Sequence, residues 1–186
     1  ARNQVQNQNK VVENGHRCLA SSLGCPDGPK DGVSDSRHRA HQSPGLAALS
    51  NRVARFDGRT WSPPVPLNAD GWKISGCPVN GPQLAQNGEQ IGAVWFTAPD
   101  NQARVLARMS VNAGDSFGPV TRVDLGRPQG RVDNVMLPDG TLVLTWLESA
   151  GKEPAQPGGI YLRTLSPEGQ LSAPQMIVPA STSRMS

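Results

Sequence analysis

The sequence lacks any apolar run approaching the roughly 20 residues that a membrane-spanning helix needs, so no membrane span is expected. Long helices are also disfavoured, because 20 glycines and 17 prolines interrupt nearly every stretch in which one could form. Aromatic residues make up only 4% of the chain, and none precedes Phe56. What remains is a series of short alternating segments separated by turn residues, which is typical of an all-β protein.

Neither positive nor negative charges form a dense run anywhere in the sequence. The net charge is +3, and the surplus of Lys and Arg lies in residues 1–55, scattered among Asn, Gln, Ser and Asp. That part has no dense basic run and no aromatic residue that could stack on a base. We therefore expect no nucleic-acid partner, and we interpret residues 1–49 as an irregular, disordered or misread segment.

Cysteine is scarce as well, since only Cys18, Cys25 and Cys77 are present. Three cysteines allow at most one internal disulfide and leave the redox compartment open. Cys18 and Cys25 combine with His38 and His41 in a zinc-like order. However, the first gap is too long and the second too short for a zinc finger. We predict no metal site and no cofactor, and we expect Cys77 to be a small buried residue rather than a nucleophile.

The second part of the sequence repeats with a period of about 55 residues. A turn motif at 58–63 (GRTWSP) recurs at 114–119 (GDSFGP) and, more weakly, at 169–174 (GQLSAP). Asn-Gly at 87–88 and Asp-Gly at 139–140 each separate two alternating runs, which is the strongest short-range hairpin signal. Each unit therefore indicates four short antiparallel strands, the content of one propeller blade.

These units predict two complete blades, at about 80–126 and 130–179, and a half blade before them with strands near 51–56 and 64–67. A closed propeller needs about four to eight blades. The predicted fold class is thus all-β, a partial β-propeller of about two and a half four-stranded antiparallel blades behind an irregular N-terminal segment. The domains are 1–49 and 50–186, and the remaining blades of a longer parent chain are expected as partners. A β-sandwich is the alternative, but it does not explain the fixed interval of the turns.

One turn carries a resemblance to a known family. Residues 110–117 (SVNAGDSF) resemble the Asp-box of BNR repeats, the S-x-D-x-G-x-T-W hairpin of sialidase-like propellers, with Asn112 at the acidic position and Phe117 at the Trp position. The Asn112 side chain is expected to accept backbone N–H groups in the turn, and Gly114 to be left-handed. This predicts a structural role for the motif, not a chemical one.

The resemblance extends over about residues 50–186. Residues 57–61 (DGRTW) resemble half of another Asp-box, and 70–82 (DGWKISGCPVNGP) and 126–133 (GRPQGRVD) are similar to exported bacterial proteins of the exo-α-sialidase-like group. The resemblance implies that the parent protein is periplasmic or extracellular, either free or held by a lipid anchor. It also implies a glycan or small ligand as partner.

Propellers bind ligands where the loops that enter the innermost strands meet at the axis. In this sequence those positions are Asn80, Arg131 and Asp133, and Trp72 lies in the preceding connection outside the repeat. We predict these four as substrate-binding residues. For Arg131 and Asp133 the alternative is a structural role in bonding backbone groups between blades.

No catalytic residue is assigned. The resemblance implies a Tyr nucleophile for an active sialidase, but the one tyrosine, Tyr161, is predicted on the third strand of its blade, far from the axis. No arginine triad is recognisable either. The sequence thus predicts a fragment of an exported sialidase-like propeller protein that binds a glycan or ligand without catalysis of its own. The alternative is part of an active exo-α-sialidase, a glycoside hydrolase, and the sequence leaves the enzyme question open.

Overall fold

The computed structural model describes residues 9–13, 16–23, 47–48, 50–57, 59–74, 81–151 and 156–180. They form fourteen strands and one 3-10 turn at Pro99–Asn101. In chain order the strands are β1 (Asn9–Glu13), β2 (His16–Leu23), β3 (Ala47–Ala48), β4 (Ser50–Phe56), β5 (Val65–Pro66), β6 (Lys73–Ile74), β7 (Gln83–Asn87), β8 (Gln90–Thr97), β9 (Arg104–Ser110), β10 (Thr121–Arg122), β11 (Pro128–Met136), β12 (Leu142–Glu148), β13 (Gly159–Leu165) and β14 (Gln175–Pro179). Within these ranges no helix is long and apolar enough to span a membrane.

Twelve of the strands form three four-stranded antiparallel sheets. The first sheet has the order β1-β2-β4-β5, the second β7-β8-β9-β10 and the third β11-β12-β13-β14. The two remaining strands, β3 and β6, pair with each other. The second and third sheets correspond to the two complete blades that the repeat predicts.

The three sheets are arranged around their first strands. β7 contacts both β1 and β11, and β11 also contacts β8. Sheets whose first strands converge in this way form an arc about a shared axis, as in a propeller. The prediction of an all-β, partial propeller is confirmed. Three sheets are fewer than the roughly four to eight of a closed ring.

The first sheet contains more strands than the predicted half blade. β4 and β5 are the two strands expected there, and β1 and β2 precede them. β2 pairs with β4 from Arg17 opposite Phe56 to Leu23 opposite Ser50. Residues 9–13 and 16–23 are therefore extended rather than irregular. Most of the rest of 1–49 lies outside the described residues, so the boundary at residue 50 stays a prediction.

Trp95 and Trp146 occupy equivalent positions in the second and third sheets. Trp95 lies opposite Leu106 of the next strand, and Trp146 lies opposite Tyr161. Both indoles are fully buried. Trp95 belongs to the core that includes Val53 of the first sheet. Trp146 belongs to the core between the second and third sheets. The tryptophan-bearing face of each sheet thus packs against the preceding sheet.

The third tryptophan of the repeat, Trp61, is not a core residue. Because Trp61, Trp95 and Trp146 all recur with the repeat, the sequence predicts that each of them packs in the core, but Trp61 is 43% exposed. It lies in the turn between β4 and β5, with its ring centroid 5.0 Å from that of Phe56. The expectation was wrong for Trp61 because an outer turn covers one side of the ring and leaves the other to solvent.

The turn between β9 and β10 has the geometry that its sequence predicts. The Asn112 Oδ1 atom accepts the N–H of Ser116 at 3.0 Å and the hydroxyl of Ser110 at 2.9 Å. Gly114 has a φ of 83°, a conformation that costs glycine little. Phe117 packs against the core between the first and second sheets. The turn is therefore a structural element, while its assignment to the family motif stays a prediction.

Candidate functional site

Two connections lead into innermost strands. Residues 67–72 and 81–82 are the described part of the connection into β7, and residues 123–127 form the connection into β11. The turns after β8 and β12 lie at the same end of the sheets, because these strands run antiparallel to β7 and β11. We call this end the entry end. The outer turns after β9 and β13 lie at the opposite end.

Two of the four predicted binding residues belong to the connection into β7. Asn80 falls outside the described residues. Trp72 is half-buried, and its ring meets Phe96 edge to face with centroids 5.6 Å apart. The indole is thus in contact with β8 at the entry end. Its use as a stacking platform for a sugar stays a prediction.

Asp70 fixes the conformation of the connection that carries Trp72. Its Oδ1 atom accepts the N–H of Trp72 at 3.1 Å. Its Oδ2 atom accepts the hydroxyl of Thr97 at 2.6 Å and the side-chain amide of Asn68 at 2.9 Å. A carboxylate bonded to three donors on two elements ties the connection to the end of β8.

The other two predicted residues lie on β11, the innermost strand of the third sheet. The pairing of β11 with β12 shifts between Gly130 and Asp133, which marks a β-bulge. Gly130 has a φ of 82° and Arg131 a φ of 51°. Arg131 is the unusual member of this pair, since left-handed backbone is uncommon for a residue other than glycine. Such strain is often held at functional positions.

Arg131 and Asp133 are both exposed. The structure records no hydrogen bond or ion pair for the Arg131 guanidinium within the described ranges. The Asp133 carboxylate accepts the N–H of its neighbour Asn134 at 2.9 Å. The guanidinium therefore presents its donors to solvent near the entry end, where they are available to an anion.

The connection into β11 is held by Glu148, which is not among the binding residues predicted from the sequence. Glu148 is 1% exposed at the end of β12. Its carboxylate accepts the backbone N–H groups of Leu125 and Arg127 and the indole N–H of Trp146. Three donors compensate the burial of this carboxylate.

Asp124 holds the same connection from the side of the second sheet. Its carboxylate accepts the N–H of Val105 at 2.8 Å and that of Gly126 at 2.8 Å. It also forms an ion pair with Arg122 at 2.8 Å. The hydrogen bond from Arg122 to Asp124 raises the pKa of the guanidinium. Together the two carboxylates hold residues 123–127 in one geometry, so the start of β11 is a rigid part of the entry end.

A sequence signal for Glu148 exists in the repeat. Thr97 and Glu148 both stand two residues after a repeat tryptophan, at the end of equivalent strands. Thr97 donates to Asp70 in one connection, and Glu148 accepts from the backbone of the next. A polar residue at this repeat position marks the junction between a blade and the connection before it.

Tyr161 is positioned as a core residue. It lies on β13, the third strand of its sheet, as the sequence predicts. It is 6% exposed, its hydroxyl donates to the Pro157 carbonyl at 2.7 Å, and its ring stacks on Trp146 at 5.8 Å. These contacts give Tyr161 a packing role. Within the described ranges, no three His, Cys, Asp or Glu residues lie close enough together to hold a metal ion.

A groove lies at the other end of the sheets. It encloses about 350 Å³ between the turn after β9 and the turn after β13. Its polar side chains include Ser116, Ser166 and Glu168, and much of the rest is apolar, including Phe117 and Leu165. Because the convergent innermost strands and the rigid connections lie elsewhere, the entry end is the better candidate for a binding site.

Comparison with known proteins places the fold. No family model matches the chain, and no curated protein matches it. Among solved structures, the chain is similar to "Hadza microbial sialidase Hz136", with a TM-score of 0.52 and 16% identity over 94% of this chain and 37% of that one. A point mutant of NanB sialidase from Streptococcus pneumoniae matches with a TM-score of 0.46 and 13% identity, over 92% of this chain and 23% of that one. The first similarity shows a sialidase-like fold, and the chain spans little more than a third of that protein.

Proposed function

We propose that this chain is part of an exported sialidase-like propeller protein and contributes to a site that binds a glycan or another small anionic ligand. The site is the entry end, and this part of the protein performs no catalysis on its own. The proposal depends chiefly on one observation. Arg131 lies at a bulge of an innermost strand, with left-handed backbone and an exposed guanidinium.

The chemistry of the proposed site follows from its side chains. A guanidinium matches a carboxylate bidentately, which gives both charge and orientation. Asp133 offers carboxylate oxygens to sugar hydroxyls, and Trp72 offers an indole face for ring stacking. A carboxylated sugar such as a sialic acid has a carboxylate for Arg131, hydroxyl groups for Asp133 and a ring for stacking on Trp72. The buried carboxylates of Asp124 and Glu148 would hold the start of β11 in place while the ligand binds.

Titration with N-acetylneuraminic acid, followed by two-dimensional NMR or calorimetry, tests the proposal. Arg131→Ala is expected to weaken binding by about 10- to 100-fold, because a hydrogen-bonded charged contact contributes about 1.5–3 kcal/mol. Arg59→Ala is the matched control. Arg59 is also exposed but lies in the turn between β4 and β5, at the opposite end of the sheets. Equal affinity of the Arg131→Ala and Arg59→Ala variants would contradict the proposal.

A second candidate, an active exo-α-sialidase in the parent protein, is supported by the similarity of the fold to a structure named as a sialidase. Hydrolysis of a fluorogenic sialoside by the parent separates the two. Turnover that is lost on Asp133→Ala would support the hydrolase. Binding of the sugar with no turnover under any condition would leave the binding function alone.

A further inference from the structure

Arg108 and Arg163 occupy equivalent positions in the second and third sheets. Arg108 on β9 pairs with Ala93 of β8, and Arg163 on β13 pairs with Leu144 of β12. Each of these partners lies two residues before the repeat tryptophan of its sheet. Because side chains alternate along a strand, both arginines are on the tryptophan-bearing face, which packs against the preceding sheet.

Arg108 uses all three nitrogen atoms of its guanidinium to join the first and second sheets. Its Nε and Nη2 atoms donate to the carbonyls of Gly118 and Phe117 in the outer turn, at 2.7 and 2.8 Å. Its Nη1 atom donates to the carbonyl of Leu67, which follows β5 of the first sheet, at 2.9 Å. Three carbonyl oxygens thus satisfy this cation in the gap between the two sheets.

Arg163 lacks such acceptors. Among the residues that the structure describes, none accepts a hydrogen bond from its guanidinium, and its Nε atom is buried. Its neighbours on the same side of β13, Tyr161 and Leu165, belong to the core between the second and third sheets. A buried donor without an acceptor is costly, so the position that is satisfied in one sheet is left with an unmet need in the next.

The carboxylate near Arg163 does not meet this need. Burial lowers the pKa of Arg163, and the charge of Asp124 opposes that effect only in part. The Asp124 carboxylate already forms an ion pair with Arg122 and accepts the N–H groups of Val105 and Gly126. With its charge compensated by these donors, Asp124 leaves room for a second anionic group beside Arg163.

The groove between the outer turns adjoins Arg163. Its lining includes Leu165, the next residue on the Arg163 side of β13, and Thr121 of β10. Thr121 pairs with Ala107, so it lies on the side of the second sheet that faces the third. The charged residue of the lining, Glu168, is exposed, where solvent screens it. Arg163 itself is only half-buried, and a small solute thus has a route to its guanidinium.

We propose that Arg163 binds a small tetrahedral oxyanion, a phosphate or sulfate group, in the gap between the second and third sheets. A guanidinium presents parallel donors that match two oxygen atoms of such a group. Arg108 is satisfied by three separate oxygen atoms, a number that a tetrahedral oxyanion supplies and a carboxylate does not. The inference rests on the two equivalent arginines and is independent of the proposed function of the entry end.

Titration of this chain with sodium sulfate or inorganic phosphate at constant ionic strength, followed by NMR of the arginine Nε–H groups, tests the proposal. The Arg163 resonance should shift along a saturating curve, because the anion accepts a hydrogen bond from it. Arg108 is the internal control, and its resonance should stay in place, since its Nε atom already donates to Gly118. Acetate should bind about tenfold more weakly, because it offers fewer acceptors to the cation.

Two variants locate the site. In the unaltered chain, the backbone amides of Thr121 and Leu165 should also shift on titration. Arg163→Gln should abolish the saturable part of those shifts. Arg104→Gln is the matched control, because Arg104 is also half-buried on a third strand but belongs to the second sheet. It should leave the affinity for sulfate within about twofold of the original, since no charged contact to the anion is lost.

Several results would overturn the proposal. An Arg163 resonance that shifts no more than that of Arg108, or shifts without saturating, would show an adventitious ion only. If the Arg163 Nε proton were as protected from exchange as that of Arg108 before any anion is added, its acceptor would be a group of the chain itself. Equal affinity for acetate and sulfate would identify a carboxylate as the occupant instead. The titration of the unaltered chain decides these points even if Arg163→Gln does not fold.

Discussion

Replacing Glu148 with Ala should be among the most destabilising polar substitutions in the third sheet. The change leaves three donors without their acceptor: two backbone N–H groups at residues 125 and 127, and the indole N–H of Trp146. Each buried donor left unpaired costs about 1–3 kcal/mol. The connection is only partly buried, so water can replace part of the loss there, and removal of a buried charge returns some desolvation energy. The expected loss of unfolding free energy is about 3 kcal/mol.

Thr97→Ala is the matched control, because Thr97 occupies the equivalent position in the second sheet and loses a single hydrogen bond, to Asp70. Its expected cost is about 1.5 kcal/mol. Glu148→Gln should fall between the two, since the amide keeps one acceptor oxygen but turns two donor hydrogens toward the connection. Urea unfolding followed by tryptophan fluorescence gives the three values from the midpoints and slopes. If Glu148→Ala cost no more than Thr97→Ala, the three-donor account of this junction would be wrong.

Two further predictions concern turns at the opposite end of the sheets. Hydrogen bonds from the Thr60 and Arg59 N–H groups lower the pKa of Asp57 below its ordinary value of 3.8. These hydrogen bonds therefore stabilise the turn at pH values above the ordinary pKa of Asp57. The stabilisation is lost as the pH falls through the lower pKa that Asp57 has in the folded protein. The Thr60 amide resonance should titrate with a midpoint below 3.8, and Asp57→Asn should remove the titration; a midpoint at or above 3.8 contradicts this. Gly140→Ala and Gly169→Ala should lower the free energy of unfolding by similar amounts in urea unfolding. Both backbones are left-handed, with φ of 83° and 85°, which costs alanine about 1 kcal/mol. At 140 the new Cβ would also lie 2.3 Å from the terminal amide of Gln90, whereas nothing lies within 4 Å at 169. That amide ends a flexible side chain and can move aside, so a clearly larger loss at 140 than at 169 would contradict the prediction.

The repeat made the second and third sheets predictable from the sequence. Asn-Gly and Asp-Gly turns require left-handed backbone, and Gly88 and Gly140 have it. Trp95 and Trp146 recur because each fills the same space between two sheets. At these positions the turn preferences of the residues and the packing between the sheets favour the same structure. A repeat in the sequence therefore predicts a repeat in the fold.

Other features depend on partners that are distant in sequence or on shape alone. The role of Glu148 arises because the connection into β11 passes over the end of β12, which a comparison of repeat positions indicates but the pattern within one strand does not. The bulge at Arg131 is a mismatch in pairing between two strands, which alternation within one strand does not reveal. β1 and β2 were missed because backbone pairing with β4 is open to sequences without alternating apolar residues.

Each sheet packs on the sheet before it through one face only, and this has a consequence for how such a chain can evolve. Each sheet meets its predecessor through one face and offers the other to its successor, so a duplicated or deleted unit alters only the contacts at a single junction. Architecture of this kind can grow or shrink by whole modules while the surviving modules keep their interiors. Residues at the mouths of the inner strands are then free to diverge from module to module, and new ligand preferences can arise without rebuilding the scaffold.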